Sequence, residues 1–215
     1  MTKPRAGRLG VLGGTFDPIH VGHLAVASYA RDHLEIEQIL FIPAGIPPHK
    51  TDRQVTPAHH RLAMVELAIA GEPTFGVSRV EIDRPGPSYA VDTMSILARE
   101  ERASGRRREL FFILSAEAVS GLPGWREPER LLELCRLAVV LRDGASRPDA
   151  AWIDEHFPDE ADRIIVLDGP DVPVSASKIR RMAAAGGSLE GLVPPAVEGY
   201  IVEHALYTSD MWRTS

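Results

Sequence analysis

Cysteine is nearly absent: the 215 residues hold one, Cys135. A lone cysteine excludes an intramolecular disulfide framework and any cysteine-based zinc cluster, and its scarcity predicts a reducing, cytoplasmic setting. Aromatic residues are sparse at 6%, and acids outnumber bases, 30 against 24, for a formal net charge of −6. A nucleic-acid polymer needs a basic face with interleaved aromatics, so that class of partner is excluded. Apolar runs such as 137–141 are far too short to span a bilayer. Residues 1–10 are basic but are not followed by a signal-type apolar stretch. There is no internal repeat and no low-complexity linker. The pair His20 and His23 lacks a third ligand at suitable spacing, so no protein-ligated metal is predicted.

What is present is ordinary in bulk: 44% hydrophobic and 25% charged residues, in a length that fits one α/β domain. Short apolar runs at 9–12, 38–42, 75–77, 109–114, 136–141 and 163–167 read as strands. Helical patterns lie between them. Leu24, Ala27, Ala30 and Leu34 share one helix face, and further helices are predicted over 57–70, 89–102 and 128–134. Closing helices follow over 175–185 and 195–205, broken by Gly186-Gly187. The alternation predicts a single domain over 1–215. Its core over 8–172 is a Rossmann-like, doubly wound parallel sheet, followed by a small helical region over 173–206. The arginine-rich stretch 103–108 reads as a solvated connector and 207–215 as a fraying tail. His33, His59, His60, His156 and His204 show no clustering and read as surface or capping residues.

One motif is dense with specialised residues: Gly13-Gly14-Thr15-Phe16-Asp17-Pro18-Ile19-His20-Val21-Gly22-His23, where the first strand meets the first helix. Ligands bind open α/β sheets outside the carboxyl ends of the strands. Glycines admit a ligand to the backbone, and a helix N-terminus offers free N–H groups to phosphate. The motif is neither a Walker loop nor a dinucleotide fingerprint, because neither spacing is present. A second segment, Val174-Ser175-Ala176-Ser177-Lys178-Ile179-Arg180, can present hydroxyls, helix-start amides and a guanidinium to an anion. Alone it reads as a capped helix with exposed basic residues; beside the first motif it becomes the other half of a triphosphate clamp. Pro47-Pro48-His49-Lys50 would hold His49 and Lys50 at the same sheet edge, and reads equally as a surface loop. Pro87-Ser88-Tyr89-Ala90-Val91-Asp92-Thr93 opens a helix whose first amides suit a carboxylate, although ordinary helix initiation explains it as well. Leu122-Pro123-Gly124-Trp125-Arg126 offers an indole able to stack on a flat ring.

These motifs, in this order from Leu9 to about Tyr207, resemble the bacterial nicotinate-nucleotide adenylyltransferases. That family belongs to the nucleotidyltransferases with a (T/H)xGH signature, which reads here His20-Val21-Gly22-His23. The resemblance implies transfer of the adenylyl group of ATP to nicotinate mononucleotide in NAD biosynthesis, with Mg2+ carried on the ATP phosphates. It implies that Gly13, Gly14, Thr15 and Phe16 line the ligand cleft and that His20, Gly22 and His23 lie at the ATP phosphates. Ser175, Ser177 and Arg180 hold the triphosphate from the other side, with Lys50 near the reacting groups. His49, Tyr89, Ala90, Trp125 and Arg126 serve the mononucleotide, with backbone amides of Ala90 and Arg126 on its carboxylate. Departures exist. Ser115 and Glu117 stand where the family has glycine and a ribose-binding aspartate, Ala90 replaces a threonine, and Ser177 replaces another. The sequence leaves open an adenylyltransferase for another phosphorylated acceptor (nicotinamide mononucleotide or phosphopantetheine) and a non-catalytic nucleotide-binding protein. A homo-oligomer is compatible with it.

Overall fold

The computed structural model describes residues 7–47, 55–141 and 147–208. Six strands form one sheet in the order β3-β2-β1-β4-β5-β6. They are β1 (Arg8–Gly14), β2 (Gln38–Pro43), β3 (Phe75–Val77), β4 (Glu109–Ser115), β5 (Arg136–Val140) and β6 (Ile164–Leu167). Every neighbouring pair is parallel. This is the doubly wound sheet expected from the sequence. Strands buried on both faces read as short apolar runs, which is why they were visible there.

The helices are α1 (Val21–His33), α2 (Ala58–Ile69), α3 (Ala90–Ala103), α4 (Ala116–Val119), α5 (Pro128–Leu134), α6 (Ala150–His156), α7 (Ala176–Ala184) and α8 (Pro195–Glu203). Side chains alternate between two cores, one on each face of the sheet. Phe111, Ile113, Ala138 and Val140 face α1, α2, α7 and α8. Leu110, Phe112, Leu114, Leu137 and Val139 face α3, α5 and α6. The period-2 alternation of strand side chains produces both layers from the same residues. The sequence reading lacked α4 and α6. Both are short, and α6 is capped locally by Asp149, whose carboxylate accepts the Trp152 N–H at 2.8 Å. Strand order reverses between β1 and β4, where ligands bind sheets of this kind; their pairing ends at Leu12 and Ile113, although β1 stays paired with β2 to Gly14 and β4 with β5 to Ser115. Among the described residues no helix is long and apolar enough to cross a membrane.

The expected tail does not begin at Tyr207. That residue is fully buried, and its hydroxyl donates to Asp17 Oδ1 at 2.7 Å. The connector over 103–108 is exposed over 103–107, as expected, and only its last residue, Arg108, is half-buried. Arg108 donates to both Glu101 oxygens and to Gln38.

Candidate active site

β1 delivers Gly13 and Gly14 to the carboxyl edge, and the chain then turns sharply. Phe16 takes a left-handed φ of 51°, and the Asp17–Pro18 peptide is cis. Phe16 and Ile19 are buried, so the loop is pinned from below by apolar side chains. His20 caps α1 in an extended conformation. Its N–H donates to His23 Nδ1 at 3.2 Å, and the two rings stack with centroids 3.7 Å apart. An Nδ1 that accepts carries no proton, so the neutral His23 ring holds its hydrogen on Nε2 and presents it as a donor. Phe16 meets the His23 ring edge-on at 5.0 Å. His20 is only 2% exposed, so His23 is the imidazole with open surface. Gly22 is required by its neighbours, because a Cβ there would lie 2.9 Å from Val174 and 3.1 Å from the His20 ring.

Two arginines hold this loop. Arg61, from α2, is 1% exposed and donates to the carbonyls of Thr56 (2.8 Å), Thr15 (2.8 Å) and Gly45 (3.3 Å). Burial pulls its pKa down while Asp17, Tyr207 and Glu81 nearby push it back up. Arg180, from α7, donates to the Asp17 carbonyl at 2.6 Å and to Ser177 Oγ at 3.2 Å. The Asp17 carboxyl accepts from Tyr207 and from the Thr56 N–H at 3.2 Å. Burial pushes the Tyr207 hydroxyl far above its usual range, and Asp17 adds to the effect, so it remains a donor. Ser175 caps α7, its hydroxyl accepting the Lys178 N–H at 3.3 Å.

On the other side of the Gly13–Gly14 edge lies a cavity of about 360 Å³, a size suited to a small ring system. Gly13, Gly14 and Thr15 form one wall; Tyr89, Ala90, Trp125 and Arg126 form another; Phe112 lines it between them. The Trp125 and Phe112 rings meet edge to face at 6.3 Å. Tyr89 is the N-cap of α3 and Ala90 its first residue, so the positive end of a fourteen-residue helix opens here. The Arg126 guanidinium lies over the Tyr89 ring, 4.9 Å from its centroid. Two loops are stitched together at the rim. Gly45 N–H donates to Ser88 Oγ at 3.0 Å, and Ser88 N–H to the Ile46 carbonyl at 2.9 Å. Gly45 must be glycine, since a Cβ would fall 2.2 Å from the Glu81 carbonyl oxygen. Glu81 is 8% exposed and accepts from Thr93 Oγ1 at 2.7 Å. Burial raises its pKa above the ordinary carboxylate range, opposed by hydrogen bonds from Thr93 and Ser88 and by Arg84 and Arg61.

The structure thus brings Gly13, Gly14, Thr15, Tyr89, Ala90, Trp125 and Arg126 to one cavity. It groups His20, Gly22, His23, Ser177 and Arg180 around the adjoining loop. Phe16 lies beneath, its side chain 2% exposed. Ser115 ends β4 next to β1, and Glu117 sits exposed in the first turn of α4. His49 and Lys50 lie outside the described residues. Sequence reading missed Arg61, Glu81 and Phe112. An arginine among the apolar residues of α2 was the one available signal for the first. One expectation is corrected: His59, His60 and His204 do cluster. His60 lies 4.1 Å from His59 and 5.3 Å from His204 between ring centroids, and its Nδ1 is 2.9 Å from the Tyr200 hydroxyl. Packing of α2 on α8 creates this group, and chain spacing gives no hint of it.

A family model for cytidylyltransferase-like proteins matches residues 11–182. A probable nicotinate-nucleotide adenylyltransferase of Thermomicrobium roseum is 45% identical over 200 residues, covering 93% of this chain and 91% of that one. Another, of Thermus thermophilus, is 44% identical over 93% of this chain and 99% of that one. Among solved structures, the Plasmodium falciparum nicotinic acid mononucleotide adenylyltransferase complexed with APC has a TM-score of 0.74 at 17% identity, over 94% of this chain and 97% of that one. The same Plasmodium enzyme complexed with NaAD gives 0.71 at 18% identity. Both share this fold.

Proposed function

The chain belongs to the cytidylyltransferase-like family and, within it, to the nicotinate-nucleotide adenylyltransferases, and from that membership we propose that it transfers the adenylyl group of ATP to nicotinate mononucleotide in NAD biosynthesis. One observation carries the reading beyond membership. A cavity for a flat ring, at a helix N-terminus, shares the Gly13–Thr15 wall with a loop that leads into two histidines and is held by Arg180 of α7.

An oxygen of the mononucleotide phosphate attacks the α-phosphorus of ATP. A new P–O bond forms, the α–β bridging bond breaks, and pyrophosphate leaves with the electron pair. The attacking monoester is already largely dianionic near neutral pH, its second pKa being about 6, so no side chain removes a proton. The protein aligns the two phosphates and stabilises charge on the α-phosphate and pyrophosphate. His23 Nε2–H and the Arg180 guanidinium are the donors for that charge, with Ser175, Ser177 and the first amides of α7 on the triphosphate. The Lys50 ammonium is assigned to the reacting phosphates as a further cation, and Ser115 and Glu117 are assigned to the ATP ribose. Mg2+ would be carried by the ATP phosphates, where it would offset their charge. Trp125 stacks on the pyridine ring, and His49 and Tyr89 are assigned to binding the mononucleotide. The N–H groups of Ala90 and Arg126 hold its carboxylate, and the dipole of α3 favours the acid over the amide.

Pyrophosphate release from ATP with either mononucleotide tests this. The acid form is expected to be preferred by at least about tenfold, one charge-assisted contact. Preference for the amide overturns the substrate assignment, and ATP binding without turnover of any mononucleotide overturns the enzyme. His23→Ala is expected to lower kcat by about 10²–10³, as for other oxyanion donors.

A further inference from the structure

The amino edge of the sheet, opposite the cleft, carries a second concavity. Four adjacent strands enter the sheet at an arginine. Arg8 and Arg136 open β1 and β5, while Arg108 and Arg163 immediately precede β4 and β6. Three of them, Arg108, Arg136 and Arg163, join Arg102 and Arg107 around a basin of about 610 Å³. Five arginines against the two glutamates there leave three formal positive charges, in a chain whose net charge is −6.

The glutamates are already matched. Glu101 accepts from Arg108 at 2.6 and 3.0 Å, and Glu109 lies 3.6 Å from both Arg136 and Arg8. Among the described residues, the guanidinium groups of Arg102, Arg107 and Arg163 make no hydrogen bond or ion pair. Helix ends do not absorb the surplus. α3 ends at Ala103 and α5 at Leu134, and each terminus is worth roughly half a negative charge, about one in total. Between the guanidinium groups the basin has an apolar floor of Leu110, Leu134 and Cys135. Burial pushes the Cys135 thiol up to about 12, so this floor stays uncharged.

We propose that this basin is a second ligand site, which takes a small phosphorylated organic molecule with its phosphate on Arg102, Arg107 and Arg163 and its apolar body on Leu110, Leu134 and Cys135. Guanidinium forks match phosphate oxygens, and the volume falls within the range of small-molecule sites. The seven residues of β4 separate it from the catalytic edge, roughly 20 Å at about 3.3 Å per residue. The assignment stands independently of adenylyl transfer.

Calorimetric titration of ADP into three forms of the full chain tests it. The natural sequence is expected to bind ADP at two sites. Arg107→Ala with Arg163→Ala weakens one of them about tenfold or more, with melting temperature and adenylyl transfer unchanged. His23→Ala with Arg180→Ala weakens only the other. Unchanged ADP binding in the Arg107/Arg163 variant overturns the site. Loss of all ADP binding in the His23/Arg180 variant does so too, since it assigns the binding to the cleft. Tighter binding of citrate than of ADP to the His23/Arg180 variant overturns the phosphate class.

Discussion

Arg61 and Arg180 reach the same loop from opposite flanks, and the molecule uses them differently. Arg61 is fully buried and commits its guanidinium to three main-chain carbonyls on three segments. Arg180 remains partly exposed, holding one carbonyl and one hydroxyl at the start of α7. A buried cation surrounded by carbonyls is a structural tie, because removing it strands desolvated acceptors. A partly exposed cation at a helix start is placed to meet an incoming anion. The same residue type thus builds the floor of the site on one side and its chemistry on the other.

The sharpest way to break this contrast is to remove each arginine and ask which property fails. Arg61→Ala is expected to cost about 3–5 kcal/mol of stability, measured by urea unfolding. Arg61→Lys should recover little, since a point charge cannot serve three separated carbonyls. Arg180→Ala is expected to cost about 2.7–4 kcal/mol of transition-state stabilisation, read in kcat, with an almost unchanged unfolding midpoint. Equal destabilisation by both would erase the distinction. Tyr207→Phe belongs on the Arg61 side. It removes a bond to a carboxyl and is expected to cost about 1.5–3 kcal/mol of stability while leaving the KM for mononucleotide alone. Trp125→Ala should do the converse, raising that KM far more than the KM for ATP.

The smallest effect concerns α2 itself. Burial, with His59 and His204 nearby, holds the His60 pKa below its ordinary value. A base depressed in this way takes up its proton more readily in the unfolded chain. Its contribution is therefore complete above about pH 6.5, the unperturbed imidazole value, and is lost as the pH falls from there through the folded value. Unfolding midpoints across that range, compared with those of His60→Gln, should show a shallower acid loss in the variant.

Much of the loop side of the candidate site was legible because its parts are contiguous. Gly13 to His23 form one strand-to-helix turn, and Ser175 to Arg180 form one helix start, so residue type and spacing suffice. The cavity beside Trp125 was legible only in pieces, since Gly13, Tyr89, Phe112 and Trp125 come from four separate segments. Phe112 reads in sequence as one more apolar strand residue, and only its height on β4 brings it to the cavity. Tyr207 reads as the start of a tail because its partner, Asp17, lies 190 residues away.

The amino-acid sequence determined by itself the six strands, most of the helices and the strand-to-helix turn that gathers glycines and histidines, because periodicity, capping and glycine placement act over a few residues. Tertiary structure alone decided which charges are buried as ties, which stay open to a ligand, and that arginines from separate strands gather at the far edge. Those outcomes follow from burial and from contacts between segments distant in the chain, which local patterns do not encode.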